Sequence, residues 1–227
     1  MNIDGLGEIK AVAFDIDGTL YAPWRLNIRA LCRYVSHGIF FLHYGIVRSK
    51  MHGQDAVPDF FGLQAERMAH RLKVTPEEAR KRLDDIVYDG MKKYFKKIKC
   101  FRDVPETFKK FKEAGLKIAL LSDFPPEQKG DVWGVKPYCD VVLGTEQLGA
   151  LKPSPYSFIK MAEQLNVEPA QVLYVGNSRS KDVVGSKRAG MKSAYLLSGF
   201  RKLFNLPIKE ADISFSNYRQ LQEIVLK

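Results

Sequence analysis

Two carboxylates stand two apart at the end of an apolar run, Ala11-Val12-Ala13-Phe14-Asp15-Ile16-Asp17-Gly18-Thr19-Leu20. Charge placed there is costly unless a cation or a bound substrate uses it, which makes Asp15 and Asp17 candidates for either. An isolated Asp-x-Asp-Gly is equally consistent with an Asx turn or a helix cap before Gly18. Three more apolar runs close on polar residues. Leu120-Leu121-Ser122-Asp123 ends in a small hydroxyl, which alone reads as an ordinary helix N-cap. Leu151-Lys152-Pro153-Ser154-Pro155 fixes a lysine in an extended segment ahead of a helix, although most lysines are simply solvated. Val172-Leu173-Tyr174-Val175-Gly176-Asn177-Ser178-Arg179-Ser180-Lys181-Asp182 ends in glycine and polar residues and by itself is a generic strand-to-helix loop.

These residues need elements to hold them together. Apolar runs at Ala11–Phe14, Ile118–Ser122, Val141–Leu143, Val172–Val175 and Ala194–Leu197 are strand-like, and most precede stretches of helical spacing. Such alternation predicts a parallel α/β sheet, which binds ligands at the carboxyl ends of its strands. Helix boundaries are expected at Asp103 before Pro105 with Gly115 closing the turn, at Ser154 before Pro155, and at Gly190 after Arg188 and Ala189. The segment from about Ala22 to Lys99 breaks the alternation and reads as several helices, the longest opening at Thr75-Pro76-Glu77-Glu78 and running toward Phe95. Ile213-Ser214-Phe215 and a helix opening near Asn217 form a last core element.

Taken in this order at these strand ends, the four polar groups resemble the signature motifs of the haloacid dehalogenase superfamily, over essentially the whole core. The resemblance implies a Rossmann-like parallel sheet made of residues 1–21 and 100–227, with an α-helical cap at residues 22–99 closing over the site. It implies Asp15 as the nucleophile that takes up a phosphoryl group and Asp17 as the general acid and base. Dehalogenases usually lack that second acid, because halide leaves without protonation, so Asp17 favours phosphate esters. Ser122 and Lys152 match the residues that hold phosphoryl oxygens. Gly18, Thr19 and Asp123 join them as substrate-binding candidates, the turn at Gly18-Thr19-Leu20 through its backbone N–H groups. Magnesium is the implied cofactor, with Asp15, the backbone carbonyl of Asp17, Asn177 and Asp182 as its candidate ligands. Asn177 is a departure, since the family normally has an acid immediately after the glycine. Its amide oxygen remains available to a cation, and Asp182 has the alternatives of direct and water-mediated approach. The expected activity is magnesium-dependent hydrolysis of a small phosphate monoester of the nucleotide or sugar-phosphate class. A catalytically weak phosphate-binding or regulatory protein and a phosphomutase remain as alternatives.

Composition sets the surroundings. The chain of 227 residues is 45% hydrophobic and carries a net charge of +10, which draws in anions without choosing among them. Cys32, Cys100 and Cys139 lack the paired short spacing of zinc or redox motifs and suit a reduced, cytoplasmic setting. Met1, Asn2, Asp4 and Glu8 lead into the first strand without the basic start and apolar stretch of an export signal. Ile39–Val47 is too short to span a membrane and reads as a buried or interfacial helix. Lys92, Lys93, Lys96, Lys97 and Lys99, interleaved with Tyr94, Phe95 and Phe101, make nucleic-acid binding the rival class. It is disfavoured, because no recognition motif accompanies them and cations late in a helix complement its dipole. In the cap, His52, Gln54, Asp55 and Arg67 are read first as solvated, and Phe40, Phe41, Tyr44, Phe60 and Phe61 first as packing. A small phosphorylated metabolite is the expected partner, with a monomer as the default and a dimer as the alternative.

Overall fold

A computed structural model describes residues 1–3 and 5–227. A short antiparallel pair, β1 (Asn2–Ile3) and β2 (Gly7–Glu8), leads into six strands: β3 (Ala11–Phe14), β4 (Lys117–Ser122), β5 (Val141–Gly144), β6 (Val172–Gly176), β7 (Lys192–Leu196) and β8 (Ile213–Phe215). These six form one parallel sheet in the order β5-β4-β3-β6-β7-β8, the α/β architecture that the alternating sequence predicts. Strand β3 is central, and Phe14 is in register with Leu120 of β4 and with Val175 of β6. Asp15, just past the end of β3, therefore lies beside Leu121 and Gly176, and Ser122 follows one residue later.

The side chains of β3 alternate between two cores, as the two-residue period of a strand requires. Val12 and Phe14 face one layer with Phe108, Phe111, Tyr218 and Leu221, while Ala11 and Ala13 face the other with Phe158, Met161 and Leu165. Those partners lie on α6 (Val104–Glu113) and α11 (Tyr218–Val225) on one side and on α8 (Pro155–Leu165) on the other, if the helices are numbered in chain order from α1 (Pro23–Ser36). Phe14 stacks on Phe108 with ring centroids 4.5 Å apart. Helices on both faces explain why these strands read as continuous apolar runs rather than alternating ones.

Between β3 and β4 the chain is helical: α1, α2 (Gly38–Met51), α3 (Phe60–Leu72), α4 (Pro76–Leu83) and α5 (Asp89–Phe95). Phe40, Tyr44, Phe60, Met68, Leu83 and Tyr88 form the centre of a further apolar cluster there. The helix expected to run unbroken from Thr75 toward Phe95 is interrupted by a π turn at Asp84–Tyr88. That turn tilts carbonyls out of the helical ladder, and side chains from elsewhere take them up. Arg33 donates to the carbonyls of Asp85 and Ile86, and the Gln128 amide donates to those of Val87 and Tyr88, both at 2.8 Å. Thr75 caps α4 by accepting from the Glu78 N–H at 3.3 Å. The Ile39–Val47 stretch lies within α2, and among the described residues no helix is long and apolar enough to cross a membrane.

Candidate active site

The ends of β3, β4 and β6 and the Leu151–Ser154 segment converge on one buried cluster. Its centre is the Lys152 ammonium, which donates to Asp15 Oδ1 at 2.6 Å and to Asp182 Oδ1 at 2.8 Å, with the Tyr174 hydroxyl 3.3 Å away. All four side chains are almost wholly withdrawn from solvent. Burial pushes the Asp15 carboxyl up to about 7, reinforced by Asp182 and Asp17 and opposed by Lys152. For Lys152 burial works against the charge, but the surrounding carboxylates outweigh it and hold the ammonium well above its ordinary range.

Asp17 is held by a second set of contacts. Ser122 Oγ donates to Asp17 Oδ2 at 3.0 Å, Tyr21 OH donates to Oδ1 at 2.7 Å, and the Lys129 ammonium lies 2.9 Å from Oδ2. Burial raises the Asp17 pKa, but Lys129, Tyr21 and Ser122 together bring it below the ordinary carboxylate value. Lys129 also donates to Ser122 Oγ at 3.1 Å, and its ammonium sits 5.4 Å from the ring centres of both Phe95 and Phe124. Its side chain is fully buried. No local signal marks it: Pro125-Pro126-Glu127-Gln128-Lys129-Gly130 reads as a solvated turn, and its burial comes from aromatic residues that the fold brings over it. No local signal marks Tyr21 either, which directly follows the Asp15–Leu20 run.

The loop after β6 closes the other side. Asp182 Oδ2 accepts from the backbone N–H groups of Asn177 and Ser178 at 3.1 and 2.9 Å, so that carboxylate ties its own loop to Lys152. The Thr19 hydroxyl lies 2.8 Å from Asp15 Oδ2 and 3.2 Å from Asn177 Oδ1, drawing those two oxygens toward one point. Gly18 has φ +92°, and a Cβ there would stand 2.4 Å from Asn177 Nδ2, so the two loops meet at a distance that only glycine permits. The N–H groups of Thr19 and Leu20 turn back onto the Ile16 carbonyl at 3.3 and 3.0 Å.

Asp15 Oδ2, Asn177 Oδ1 and the Asp17 backbone carbonyl are hard oxygen donors of the kind magnesium takes, together with water and phosphate oxygens. Of the Asp15 oxygens, Oδ1 is engaged by Lys152 and Oδ2 only by the Thr19 hydroxyl, so Oδ2 and Asn177 Oδ1, which share that hydroxyl, are the pair that suits a magnesium ion. The Asp17 carboxylate is engaged by Ser122, Tyr21 and Lys129, and both Asp182 oxygens are engaged by Lys152 and by backbone N–H groups. Among the described residues no group of three or more His, Cys, Asp and Glu is arranged to hold a metal.

Asp123 faces away from this centre. Its Oδ1 accepts from Thr145 Oγ1 at 3.0 Å and from the Lys152 N–H at 3.1 Å, while Lys181 approaches Oδ2 at 3.5 Å. Burial would raise its pKa, yet Lys152, Arg48, Lys181 and His52 lower it to about 2. Asp123 thus anchors the segment that presents Lys152. His52 belongs to the same support: its Nδ1 lies 2.7 Å from the Lys152 carbonyl and its Nε2 lies 3.1 Å from Lys181 Nζ. Burial, relieved by Asp123 and reinforced by Lys181, keeps this imidazole below its usual pKa. Gln54 and Asp55 are exposed, and Gln54 accepts from Arg67 at 3.2 Å. Phe40 and Phe60 pack within the helical segment between β3 and β4.

Residues 12–196 match the sequence pattern of the haloacid dehalogenase-like hydrolases. Among curated proteins the chain is 27% identical to the phosphoglycolate phosphatase of Vibrio vulnificus (strain CMCP6), over 96% of this chain and 97% of that protein. It is 28% identical to the glyceraldehyde 3-phosphate phosphatase of Methanopyrus kandleri, over 84% and 85% of the two chains. Its fold is similar to the crystal structure of a HAD phosphatase from Thermococcus onnurineus, with a TM-score of 0.64, 23% identity, and 96% and 98% of the chains covered.

Proposed function

This chain belongs to the haloacid dehalogenase-like hydrolase family, and we propose that it is a phosphatase that hydrolyses a small phosphate monoester through a phosphoryl group carried on Asp15. The observation that carries the reading is the Lys152 ammonium placed between the Asp15 and Asp182 carboxylates, within one network with Ser122 and Asp17 at the neighbouring strand ends. The relatives' names, which specify phosphatases of short phosphate esters, support the same class.

In this reading a carboxylate oxygen of Asp15 attacks phosphorus and forms an acyl phosphate, replacing one difficult displacement by two easier ones. Asp17, a carboxylate in the unliganded site, passes a proton of the monoanionic ester to the leaving oxygen, then takes one from the water that attacks the acyl phosphate and gives it to the departing phosphate. Ser122 and Lys152 hold the non-bridging oxygens as negative charge spreads over them. Lys129, through Asp17 and Ser122, fixes the position of both. Asp15, Asn177 and the Asp17 carbonyl would hold magnesium, which would supply positive charge to offset that of the carboxylate and the phosphate. Asp182 fixes the Asn177 loop and the lysine.

Magnesium-dependent release of inorganic phosphate from a panel of monoesters, with Asp15→Asn as control, tests this. Release by the native chain and none by the variant supports it, and free phosphate separates hydrolysis from phosphomutase transfer. Silence of the native chain with activity in Asn177→Asp identifies the binding-only alternative.

A further inference from the structure

A cavity of about 190 Å³ opens beside Asp17, between the helical segment and the core, where the leaving oxygen would emerge. Leu26 of α1, Phe41 of α2, Met91 and Phe95 of α5, and Phe124 beyond β4 make its walls. Asp17 is the one charged residue among those lining it.

Besides Asp17 the wall offers the Tyr34 hydroxyl, and its two other polar groups are spoken for. Gln128 gives its amide to the Val87 and Tyr88 carbonyls, and the Tyr44 hydroxyl accepts from Arg48 at 3.0 Å. Two cations packed on rings of the wall are committed as well, since Lys129 is bound to Asp17 and Ser122, and Arg48 is paired with buried Glu146. A carboxylate or second phosphate entering here would lose its water without meeting a free cation, which is costly. A hydrocarbon group would meet aromatic and aliphatic carbon on most sides and gain from burial.

Size narrows the choice. A cavity of about 190 Å³ lies below the range of about 300–1,000 Å³ usual for pockets that take drug-sized ligands. That admits a short branched alkyl chain or a single ring and is too small for a nucleoside.

We propose that the substrate is the phosphate monoester of a small, uncharged, predominantly hydrocarbon alcohol or phenol, recognised by Leu26, Phe41, Met91, Phe95 and Phe124. The proposal rests on the phosphatase reading and narrows it, away from nucleotides, sugar phosphates and the carboxylate-bearing ester for which the Vibrio relative is named.

The test is kcat/KM of the native protein with magnesium on 3-methylbutyl phosphate and phenyl phosphate, against phosphoglycolate, glycerol 3-phosphate and a nucleoside monophosphate. The expected preference for the apolar esters is about 100-fold, the scale on which pockets discriminate single groups. Equal or better use of a charged or polyhydroxylated ester overturns the proposal while leaving the phosphatase reading intact. If no ester is hydrolysed, the phosphatase reading falls and binding still decides the pocket. Thermal shifts with benzylphosphonate and phosphonoacetate should then show about tenfold tighter binding of the aromatic compound, and equal or weaker binding overturns the inference. Leu26→Arg, which adds a cation to the wall, should move the preference toward phosphoglycolate.

Discussion

Lys152 and Asp182 are joined at 2.8 Å in a site from which water is almost excluded, and the same ammonium reaches Asp15 at 2.6 Å. One cation thus serves two carboxylates that would otherwise repel each other. Removing one member of such a buried set leaves uncompensated charge, which costs far more than losing an exposed ion pair.

Lys152→Met is therefore expected to destabilise the protein by about 3–5 kcal/mol, measured by urea unfolding. Adding Asp182→Asn should recover about 1–3 kcal/mol of that loss, because the two sites are directly coupled. Additive losses in the double variant would contradict the shared-cation arrangement.

Gly176 is required by a close approach. A Cβ at this position would stand 2.4 Å from Asp182 Cβ and Cγ, and Asp182 has little freedom to move while Lys152 and two backbone N–H groups hold it. Gly176→Ala is expected to cost about 1–3 kcal/mol by overpacking and to depress phosphate release. An unchanged denaturation midpoint would show that the loop accommodates the methyl group.

Asp123 makes stability depend on acid pH. Its folded-state pKa of about 2 lies below the ordinary value of 3.8, so its contribution is present in full above about pH 4 and is lost as pH falls through about 2. The contribution is on the order of 2 kcal/mol. Chemical unfolding of the native protein and of Asp123→Asn should differ by about that amount at neutral pH, with the gap closing toward about pH 2. A gap that persists at the acid end would mean that the charge of Asp123 is not its contribution.

In the proposed cation site Asn177 offers an amide oxygen beside Asp15 rather than a second carboxylate. Asn177→Asp should place a second one beside Asn177's present contact with Thr19, 3.2 Å away. Magnesium should then bind severalfold more tightly, read both as the half-saturating concentration for activity and as the magnesium-dependent rise in melting temperature. No change in either would remove residue 177 from the cation site.

The sheet and the placement of the strand-end residues were legible because their signals are local. Ala11–Phe14 and Val172–Val175 are apolar without interruption, and the polar residues that stop them fall at the ends of paired strands. Asp182 was legible as a member of the site, whereas its role was not, since that depends on backbone N–H groups turning toward it. The π turn was hidden because its displaced carbonyls are satisfied by Arg33, some 50 residues earlier, and by Gln128, some 40 later. Lys129 was hidden for the same reason. Its immediate neighbours in sequence suggest solvent, and of its neighbours in space Asp17 and Phe95 come from distant parts of the chain and only Phe124 from the same loop.

The central claim is that Asp15 carries the phosphoryl group, and chemical trapping tests it most directly. The protein is quenched during turnover, treated with borohydride, which reduces an acyl phosphate to an alcohol, and its peptides are analysed by mass spectrometry. Conversion of Asp15 to homoserine in the presence of substrate, and none without it, is the predicted result. Steady phosphate release with Asp15 unmodified and the label on another side chain, or on none, would contradict it.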